Sequence, residues 1–408
     1  MGETLFIAHR IPFPPDRGDK IRSLHLLKAL AALGPVHVAT LGETPGDFAA
    51  EPLLAQVAES HCLAQRPGSL PLAGIRALAT GKPVSLTAFD SPRLHAWVAD
   101  VLATRPIDTI VVFSGQMGQY VPASFTGRVV IDLCDVDSAK FEAYACDGKG
   151  PRSWIDAREG RLLAAEEARL ARRADTVLLI SEVEANLFRE RAGLPSVKVR
   201  SLGNGIDTAL YEPRSVSPHP ALHGEPGPHV VFTGQMDYPP NIAAVRRTAE
   251  ALMPAIRAVH EDAVFHIVGR APVAEVRALE GRHGTRVWGE VPDVRPFLAG
   301  ADLVVAPLTI ARGVQNKVLE AMSMARPVLL TPEAATGIGA AAERHYCVAG
   351  SDPELIDAAL RLLDDKPTAR AMGEAARRFV VEHRSWASAL APLPEIVGKT
   401  DTIARDAA

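Results

Sequence analysis

The segment formed by residues 303–330 constrains the fold more than any other part of the sequence. It begins with the apolar run Leu303–Ala306 and ends with another, Val328–Leu330, and the stretch between them is long enough for a loop and a helix. Short apolar runs of this kind are typical of buried strands in a parallel sheet. The segment therefore predicts one βαβ unit.

The helix predicted within this unit has two different faces. The apolar face consists of Val314, Val318, Ala321, Met322 and Ala325, which recur at helical spacing and are predicted to be buried. The polar edge consists of Gly313, Asn316, Lys317 and Glu320, which also lie three or four residues apart.

The polar edge has an order that suits a nucleoside diphosphate. Gly313 lies where the loop enters the helix, and free N–H groups and the helix dipole favour a phosphate there. Lys317 adds a positive charge one turn further on. Glu320, at a rise of about 1.5 Å per residue, lies deep enough to accept hydrogen bonds from a ribose diol. Spacing alone explains Lys317 and Glu320 equally well as solvated charges on an ordinary helix.

A longer run of residues decides between these interpretations. Asn316-Lys317-Val318-Leu319-Glu320-Ala321-Met322, followed by Arg326-Pro327-Val328, resembles the donor-binding signature of the retaining glycosyltransferases of family 4. Within that family the chain looks most similar to sugar transferases associated with bacterial exopolysaccharide and exosortase systems. The resemblance implies an α/β protein with the GT-B fold, in which two Rossmann-like domains place their parallel sheets across a cleft. It also implies Lys317 and Glu320 as catalytic residues, to which we add Arg312, a residue that departs from the family pattern.

The length of the chain accommodates two such domains. Its 408 residues, 47% of them hydrophobic and 23% charged, suffice for two separate cores. The predicted organisation has an acceptor domain over residues 1–210, a linker over 211–228, a donor domain over 229–382, and a segment over 383–408 that returns to the first domain. The linker is rich in Pro, Ser, Gly and His and lacks periodicity. Residues after 396 are predicted to form a disordered tail.

Composition excludes several other functions. The net charge of −4 gives no general attraction to nucleic acid, and four scattered cysteines without a C-x-x-C pair argue against a metal knuckle or a disulfide framework. No apolar run approaches the length of a membrane span, and the N-terminus does not have the pattern of a signal peptide. We expect a cytoplasmic protein with at most peripheral contact at the inner face of the membrane. By resemblance, we expect no metal and no cofactor, a nucleotide-sugar donor, and a glycan or lipid-linked acceptor.

Further donor contacts are predicted from the same resemblance. They are Gly234, Gln235, Asn241, Arg270 and Val291, together with Gly313, Val314 and Asn316 at the entrance of the helix. Gly234 follows an apolar run and lets the backbone approach a phosphate. Many relatives carry an arginine and a lysine here, where this sequence has Gln235 and Asn241; Asn241 is also suited to cap the helix predicted over 242–259. The resemblance places Arg270 near the nucleotide and the backbone of Val291 at the nucleobase.

Residues on the acceptor side are predicted in the first half. They are His9, Gly18, Asp19, Lys20, Ser114 and Asp135. The loop between the first strand and the first helix contains Gly18 but is not the G-x-G-x-x-G fingerprint, which disfavours an NAD-dependent oxidoreductase. Its polar residues are explained equally well as solvated loop residues. Ser114 follows a strand where many family members carry a histidine. Asp135 follows the next strand, and the nearby Asp137 and Ser138 are predicted to cap a helix.

One position departs from the family pattern. The family often shows Glu-x7-Glu, and where the first of these glutamates is expected this sequence has Arg312. A guanidinium cannot accept hydrogen bonds from sugar hydroxyls, but it can pair with a phosphate. We expect Arg312 to compensate for the basic residues that are missing near Gly234. The departure leaves two alternatives open: a nucleotide-sugar epimerase of the same architecture, and a sugar-nucleotide-binding protein without catalytic activity.

Overall fold

A computed structural model describes residues 2–68, 70–147, 150–224, 226–311 and 314–400 of the chain. The chain divides into two compact units. The first comprises Met1–Asn204 and resumes at Leu390, and the second comprises Gly205–Ala389. In its described residues, each unit contains one fully parallel sheet with its own hydrophobic core.

The sheet of the first unit has seven strands among the described residues. They are β1 (Glu3–Ala8), β2 (Val36–Gly42), β3 (Ser60–Gln65), β4 (Ile107–Phe113), β5 (Arg128–Cys134), β6 (Thr176–Leu179) and β7 (Val199–Ser201). Their order is β3-β2-β1-β4-β5-β6-β7. The strand order reverses between β1 and β4, and in open parallel sheets ligands bind beyond the carboxyl ends of the strands at such a point.

The helices of the first unit connect these strands. In chain order they are α1 (Gly18–Ala31), α2 (Pro45–Ala49), α3 (Glu51–Ala55), α4 (Leu70–Thr80), α5 (Val84–Thr87), α6 (Pro92–Thr104), α7 (Asp137–Asp147), α8 (Pro151–Arg173) and α9 (Glu182–Ala192). Helices α2 and α3 are separate short helices, although only Ala50 lies between them. Pro52 explains the break, because it lacks an N–H and so begins a new helix.

The second unit repeats the same strand order with six strands among its described residues. They are β8 (His229–Thr233), β9 (Val264–Val268), β10 (Thr285–Gly289), β11 (Leu303–Ala306), β12 (Val328–Leu330) and β13 (Cys347–Val348), in the order β10-β9-β8-β11-β12-β13. The order reverses between β8 and β11. The predicted βαβ unit is confirmed, since β11 pairs in parallel with β12.

The helices of the second unit include the predicted donor helix. They are α10 (Pro220–His223), α11 (Pro239–Arg247), α12 (Met253–Val259), α13 (Ala274–Arg277), α14 (Arg295–Gly300), α15 (Asn316–Ser323), α16 (Pro332–Ala335), α17 (Asp352–Asp364), α18 (Lys366–His383) and α19 (Trp386–Ala389). A π-helical turn over Thr248–Leu252 joins α11 to α12. The last helix, α20 (Leu393–Ile396), belongs to the first unit.

Structure is found in two segments whose composition predicted a linker or a tail, over their described residues 211–224, 226–228 and 397–400. Within the predicted linker over residues 211–228, α10 buries Leu222, and the His219 ring stacks on Phe297 at 4.3 Å between centroids. In the predicted tail, Val397 is buried and Lys399 Nζ donates to the carbonyl of Gly2 at 3.0 Å. Buried apolar side chains therefore fix segments whose composition resembles that of a loop.

Candidate active site

The donor-helix lysine lies at the carboxyl edge of the second sheet. Lys317, in the first turn of α15, donates from Nζ to Asn241 Oδ1 at 2.5 Å, and Asn241 Nδ2 donates to the carbonyl of Gln235 at 2.8 Å. The ammonium also lies 4.4 Å from the centroid of the Phe232 ring, a cation–π distance. Among the described residues, Lys317 has no carboxylate within ion-pair distance. Burial lowers the pKa of Lys317 to about 8, and the negative charge of Glu320 opposes that shift.

Asn241 does not cap a helix, contrary to the prediction. The helix begins three residues earlier than predicted because Pro239 and Pro240 favour its first turn, and Tyr238 is the N-cap residue. The Asn241 side chain is consequently free to join the Gln235 carbonyl to the ammonium of Lys317.

Two glycines bring backbone together beside this cluster. A Cβ on Gly234 would lie 2.9 Å from both Lys317 Nζ and Asn241 Nδ2, and a Cβ on Gly269 would collide with the carbonyl oxygen of Gly234 at 1.6 Å. The strand ends of β8 and β9 can therefore approach this closely only with glycine at these positions. Beyond them, Arg270 donates to Gln235 Oε1 at 3.0 Å, and both side chains are exposed.

Glu320 lies one turn further along α15 and is partly buried. The hydroxyl of Tyr211 hydrogen-bonds to its carboxylate. Burial raises the pKa of Glu320, while Tyr211 and the charge of Lys317 oppose the increase. Burial and the proximity of Glu320 in turn raise the pKa of Tyr211. The structure thus places a cation and a carboxyl group on one edge of α15, as the spacing predicted.

Tyr211 is itself anchored through its backbone. Its carbonyl accepts hydrogen bonds from Ser323 Oγ at 3.2 Å and from an Arg377 guanidinium nitrogen at 3.0 Å. Its N–H donates to the carbonyl of Asp207 at 2.9 Å. The sequence did not point to Tyr211, because it lies in a segment that was predicted to be a linker.

The remaining predicted donor residues lie around this cluster or outside the described residues. Val291 is partly buried against the second core, and Asn316 is the exposed first residue of α15. Val314 was predicted to be buried but is 39% exposed, because it precedes the helix. Arg312 and Gly313 lie outside the described residues.

The corresponding edge of the first sheet carries a network of charged residues. His9, directly after β1, approaches Asp19 Oδ2 through Nε2 at 3.1 Å, and Arg10 donates to the same oxygen at 2.8 Å. Burial alone would raise the pKa of Asp19, but its hydrogen bonds with His9 and Arg10 hold that pKa well below its usual range. Arg10 also donates to Glu43, which accepts a second hydrogen bond from Arg66. Gly18 begins α1, and a Cβ there would meet no atom within 4 Å.

The other three acceptor-side residues have different environments. Lys20 is buried and donates to Asp47 at 2.7 Å. Ser114, directly after β4, donates to Gln116 Oε1 at 2.7 Å and is nearly buried. Asp135 is partly exposed and accepts a hydrogen bond from Lys140 at 2.7 Å.

The predicted capping residues nearby have other roles. Ser138 lies inside α7 and donates from Oγ to Glu167 at 2.6 Å, while Asp137 is the first residue of the helix rather than its cap. The capping prediction was wrong because the Ser138 hydroxyl donates to the buried carboxylate of Glu167 instead of accepting from the backbone of the first turn.

Neither a metal-binding cluster nor a membrane-spanning helix is present in the part of the chain that the structure describes. No group of three or more His, Cys, Asp or Glu side chains there is arranged to hold a metal ion. No described helix combines the length and the apolar character needed to cross a membrane.

Family models match both halves of the chain. Residues 18–205 match the glycosyl transferase 4-like domain, and residues 227–365 match the glycosyl transferases group 1. The chain is a glycosyltransferase. A search of curated protein sequences found no significant match.

Solved structures of other proteins share the fold. HepE from Anabaena, crystallised with UDP, is 15% identical with a TM-score of 0.62, and the match covers 98% of this chain and 100% of that chain. Sucrose-phosphate synthase from Thermosynechococcus elongatus is 17% identical with a TM-score of 0.60, covering 100% and 99%. WaaG, a glycosyltransferase involved in lipopolysaccharide biosynthesis, is 18% identical with a TM-score of 0.57, covering 97% and 100%. Together with the two parallel sheets, these matches identify the predicted GT-B fold.

Proposed function

We propose that this glycosyltransferase belongs to family 4 and acts with retention, moving a sugar from a nucleotide diphosphate to a glycan or lipid-linked acceptor. We place it in the cytoplasm, at the inner face of the membrane, in the biosynthesis of cell-surface or exopolysaccharide glycans. The observation that carries the proposal is the ammonium of Lys317, which lies beside Gly234 and on the same helix edge as Glu320.

The environment of Lys317 favours an anionic ligand. A partly buried ammonium loses hydration, and the amide oxygen of Asn241 and the face of Phe232 replace only part of it. A phosphate at this edge of the sheet would supply the missing negative charge through a charge-assisted hydrogen bond. Such a contact would stabilise the diphosphate as it leaves the sugar, which is where charge develops in the reaction.

Glu320 suits the sugar ring of a nucleoside. A carboxylate accepts hydrogen bonds from both hydroxyls of a diol, and Tyr211 orients this one through the hydrogen bond from its hydroxyl. Lys317 and Glu320 would then hold the diphosphate and the ribose in a fixed relation, so that catalysis consists mainly of positioning. Crystal structures of Anabaena HepE with UDP, with UDP and glucose, and with UDP-glucose support a nucleotide-sugar donor.

Binding measurements with two pairs of variants test the donor site. Calorimetric titration with UDP, GDP, ADP, CMP and dTDP identifies the base, and the preferred ligand is then measured with Lys317→Ala and Glu320→Ala. We expect each substitution to weaken binding by about tenfold or more, because hydrogen bonds to charged groups contribute about 1.5–3 kcal/mol. Matched controls are Lys366→Ala and Glu374→Ala, which remove exposed charges from α18. Equal losses in the controls, or no loss at Lys317 and Glu320, would remove the basis of the proposal.

Turnover distinguishes the proposed activity from its two alternatives. A transferase releases nucleoside diphosphate faster when the acceptor is present and keeps the anomeric configuration of the donor. An epimerase converts the donor sugar without an acceptor, and a non-catalytic binding protein leaves the donor intact.

The unusual residue at position 312 provides a separate test. If Arg312 compensates for the missing basic residues near Gly234, charge reversal by Arg312→Glu is expected to raise the donor KM and lower kcat. Steady-state kinetics with the preferred donor measure both constants, and unchanged kinetics would rule out this role.

A further inference from the structure

Helix α4 places its large apolar side chains on the outside. Leu72, Ile75 and Leu78 are 58%, 64% and 62% exposed, whereas the buried positions of the same helix are the small residues Ala73 and Ala77. A helix that only covered a core would show the opposite arrangement, with its large side chains inside. The exposed row therefore points to contact with something outside this chain.

The apolar surface continues onto two neighbouring helices. Near the start of α8, Trp154 and Ile155 are 64% and 50% exposed, and Tyr144 of α7 is 57% exposed. Arg158 lies one turn after Trp154 on the same face of α8, and its guanidinium donates to the carbonyl of Ala77 in α4 at 2.9 Å. This hydrogen bond joins that face of α8 directly to α4.

A second hydrogen bond connects α8 to α7, which lies at the edge of this surface. Ser153 Oγ, beside Trp154, donates to the carbonyl of Ala145, beside Tyr144, at 2.6 Å. We define the α4–α8 surface as the six exposed side chains of these helices, namely Leu72, Ile75, Leu78, Tyr144, Trp154 and Ile155.

Basic side chains lie beside the α4–α8 surface, together with the acidic Asp156 that follows Ile155. Residues 70–82 include Arg76 and Lys82 but no acidic residue. Arg76 pairs with Asp90 at 3.1 Å, whereas over the described ranges Lys82 and the exposed Arg161 of α8 have no carboxylate partner. Arg161 lies two turns after Trp154 and so belongs to the same face of α8. The surface thus combines exposed leucine, isoleucine and aromatic side chains with a basic margin.

We propose that the α4–α8 surface docks on a bilayer that contains anionic phospholipid. Helices that lie in a membrane interface combine an apolar face with lysine and arginine, and tryptophan and tyrosine side chains favour the depth of the lipid headgroups. Basic side chains near the interface are attracted by anionic lipid. A second copy of the chain is a poorer occupant, because a symmetric contact would bring the two basic margins against each other. The surface does not involve the donor site of the second unit.

Co-sedimentation of the full chain with vesicles tests this proposal. Vesicles are prepared from phosphatidylcholine alone and from an equimolar mixture with phosphatidylglycerol. We expect the protein to bind the mixed vesicles and to bind phosphatidylcholine at least about tenfold more weakly. The triple variant Leu72→Ser, Ile75→Ser, Leu78→Ser should bind the mixed vesicles about a thousandfold more weakly, because each of the three apolar side chains contributes about tenfold.

The matched control changes exposed apolar residues elsewhere in the same unit. Val183 and Val197 are 77% and 79% exposed, and the double variant Val183→Ser, Val197→Ser should bind vesicles like the wild type. Nucleotide binding and the melting temperature, measured on all variants, show that the triple variant is folded. A second variant, Lys82→Ala with Arg161→Ala, should lose affinity for the mixed vesicles alone.

Four results would overturn the proposal. They are no binding to either vesicle, equal binding to both compositions, unchanged binding by the triple variant, and an equal loss in the valine control. Light scattering measures whether the protein is a monomer or a dimer. If the wild type is a dimer and the triple variant is a monomer, the surface binds a second copy of the chain instead of a bilayer.

Discussion

The charge state of Lys317 depends on pH within an experimentally accessible range. Burial lowers the pKa of this ammonium to about 8, against the effect of Glu320. Only the protonated form attracts a diphosphate, so affinity should be constant well below pH 8 and fall as pH rises through that value. The loss should approach tenfold per pH unit until the contribution of the charge is gone.

Calorimetric titrations on both sides of pH 8 measure this dependence. Lys317→Arg provides the comparison, because a guanidinium keeps its charge throughout the range and should flatten the curve. An equally steep decrease in affinity in that variant would assign the pH dependence to another group.

The hydrogen bond from Tyr211 to Glu320 has a consequence specific to the nucleoside. Tyr211→Phe removes a donor from a partly buried carboxylate, which raises the pKa of Glu320 further and leaves its orientation less fixed. We expect affinity for the preferred nucleoside diphosphate to fall by about tenfold, while affinity for inorganic diphosphate, which has no ribose, stays the same. Tyr144→Phe, at an exposed tyrosine of the first unit, is the control. Equal losses for both ligands would mean that Tyr211 supports the site as a whole.

The relative positions of side chains were predictable where the residues belong to one helix. Lys317 and Glu320 lie three residues apart on α15, so their common edge followed from the sequence. Tyr211 approaches the same edge from a distant segment, and no local pattern encodes that contact. Lys20 was predicted among the acceptor-side residues, but it is buried and donates to Asp47 of α2. That partner comes from tertiary packing, which no local sequence pattern encodes.

At the scale of elements, strands formed by a continuous apolar run were predictable, whereas very short strands without such a run were not. The apolar runs Leu303–Ala306 and Val328–Leu330 coincide with β11 and β12. In contrast, β7 has three residues and β13 only two, which is too short for a period to appear. Such strands form because the neighbouring strands β6 and β12 offer free hydrogen-bonding groups.

Three neighbouring strands are joined by a chain of side-chain hydrogen bonds. Trp288 Nε1 in β10 lies 3.1 Å from His266 Nδ1 in β9, and His266 Nε2 lies 3.0 Å from His229 Nδ1 in β8. An indole N–H only donates, so His266 must accept at Nδ1, carry its proton on Nε2 and donate to His229. The His266 imidazole is therefore held in its neutral form.

The hydrogen bonds that join Trp288, His266 and His229 predict that acid lowers the free energy of unfolding of the second unit. Burial and the neighbouring His229 lower the pKa of His266 from 6.5 to about 3. Because the pKa in the folded state is the lower one, the stabilisation is complete above 6.5 and is lost as pH falls toward 3. The free energy of unfolding should decrease by up to about 1.4 kcal/mol per pH unit in that window.

Chemical denaturation at a series of pH values compares the wild type with His266→Gln. The variant cannot titrate at this position and should show a shallower dependence on pH, whatever its absolute stability. His223→Gln, which removes an exposed histidine from the same unit, should keep the slope of the wild type. Parallel curves for all three proteins would exclude His266 as the responsible group.

At the scale of the whole molecule, segments that are far apart in the sequence form a single compact unit. The first unit is completed by residues from the far end of the sequence, where Leu390, Leu393, Ile396 and Val397 are buried. Polar contacts fix the same segment: Arg128 donates to the carbonyl of Ile396, and Arg200 pairs with Glu395 at 2.8 Å. Composition predicted disorder after residue 396, because the few apolar residues there gain a partner only in the tertiary structure.

This closure of the first unit predicts separate effects of substitutions in the two units. Leu393 is 1% exposed, so Leu393→Ala should cost about 2–5 kcal/mol of unfolding free energy through the cavity it leaves. The loss should fall on the first unit, although Leu393 follows the whole second unit in the sequence. Urea denaturation measures the stability, and calorimetry with the preferred nucleotide should find unchanged affinity, because the donor residues lie in the second unit. Val381→Ala, at a 41% exposed position of α18, should leave both quantities unchanged. A weaker nucleotide affinity in folded Leu393→Ala would show instead that the terminal segment influences the donor site.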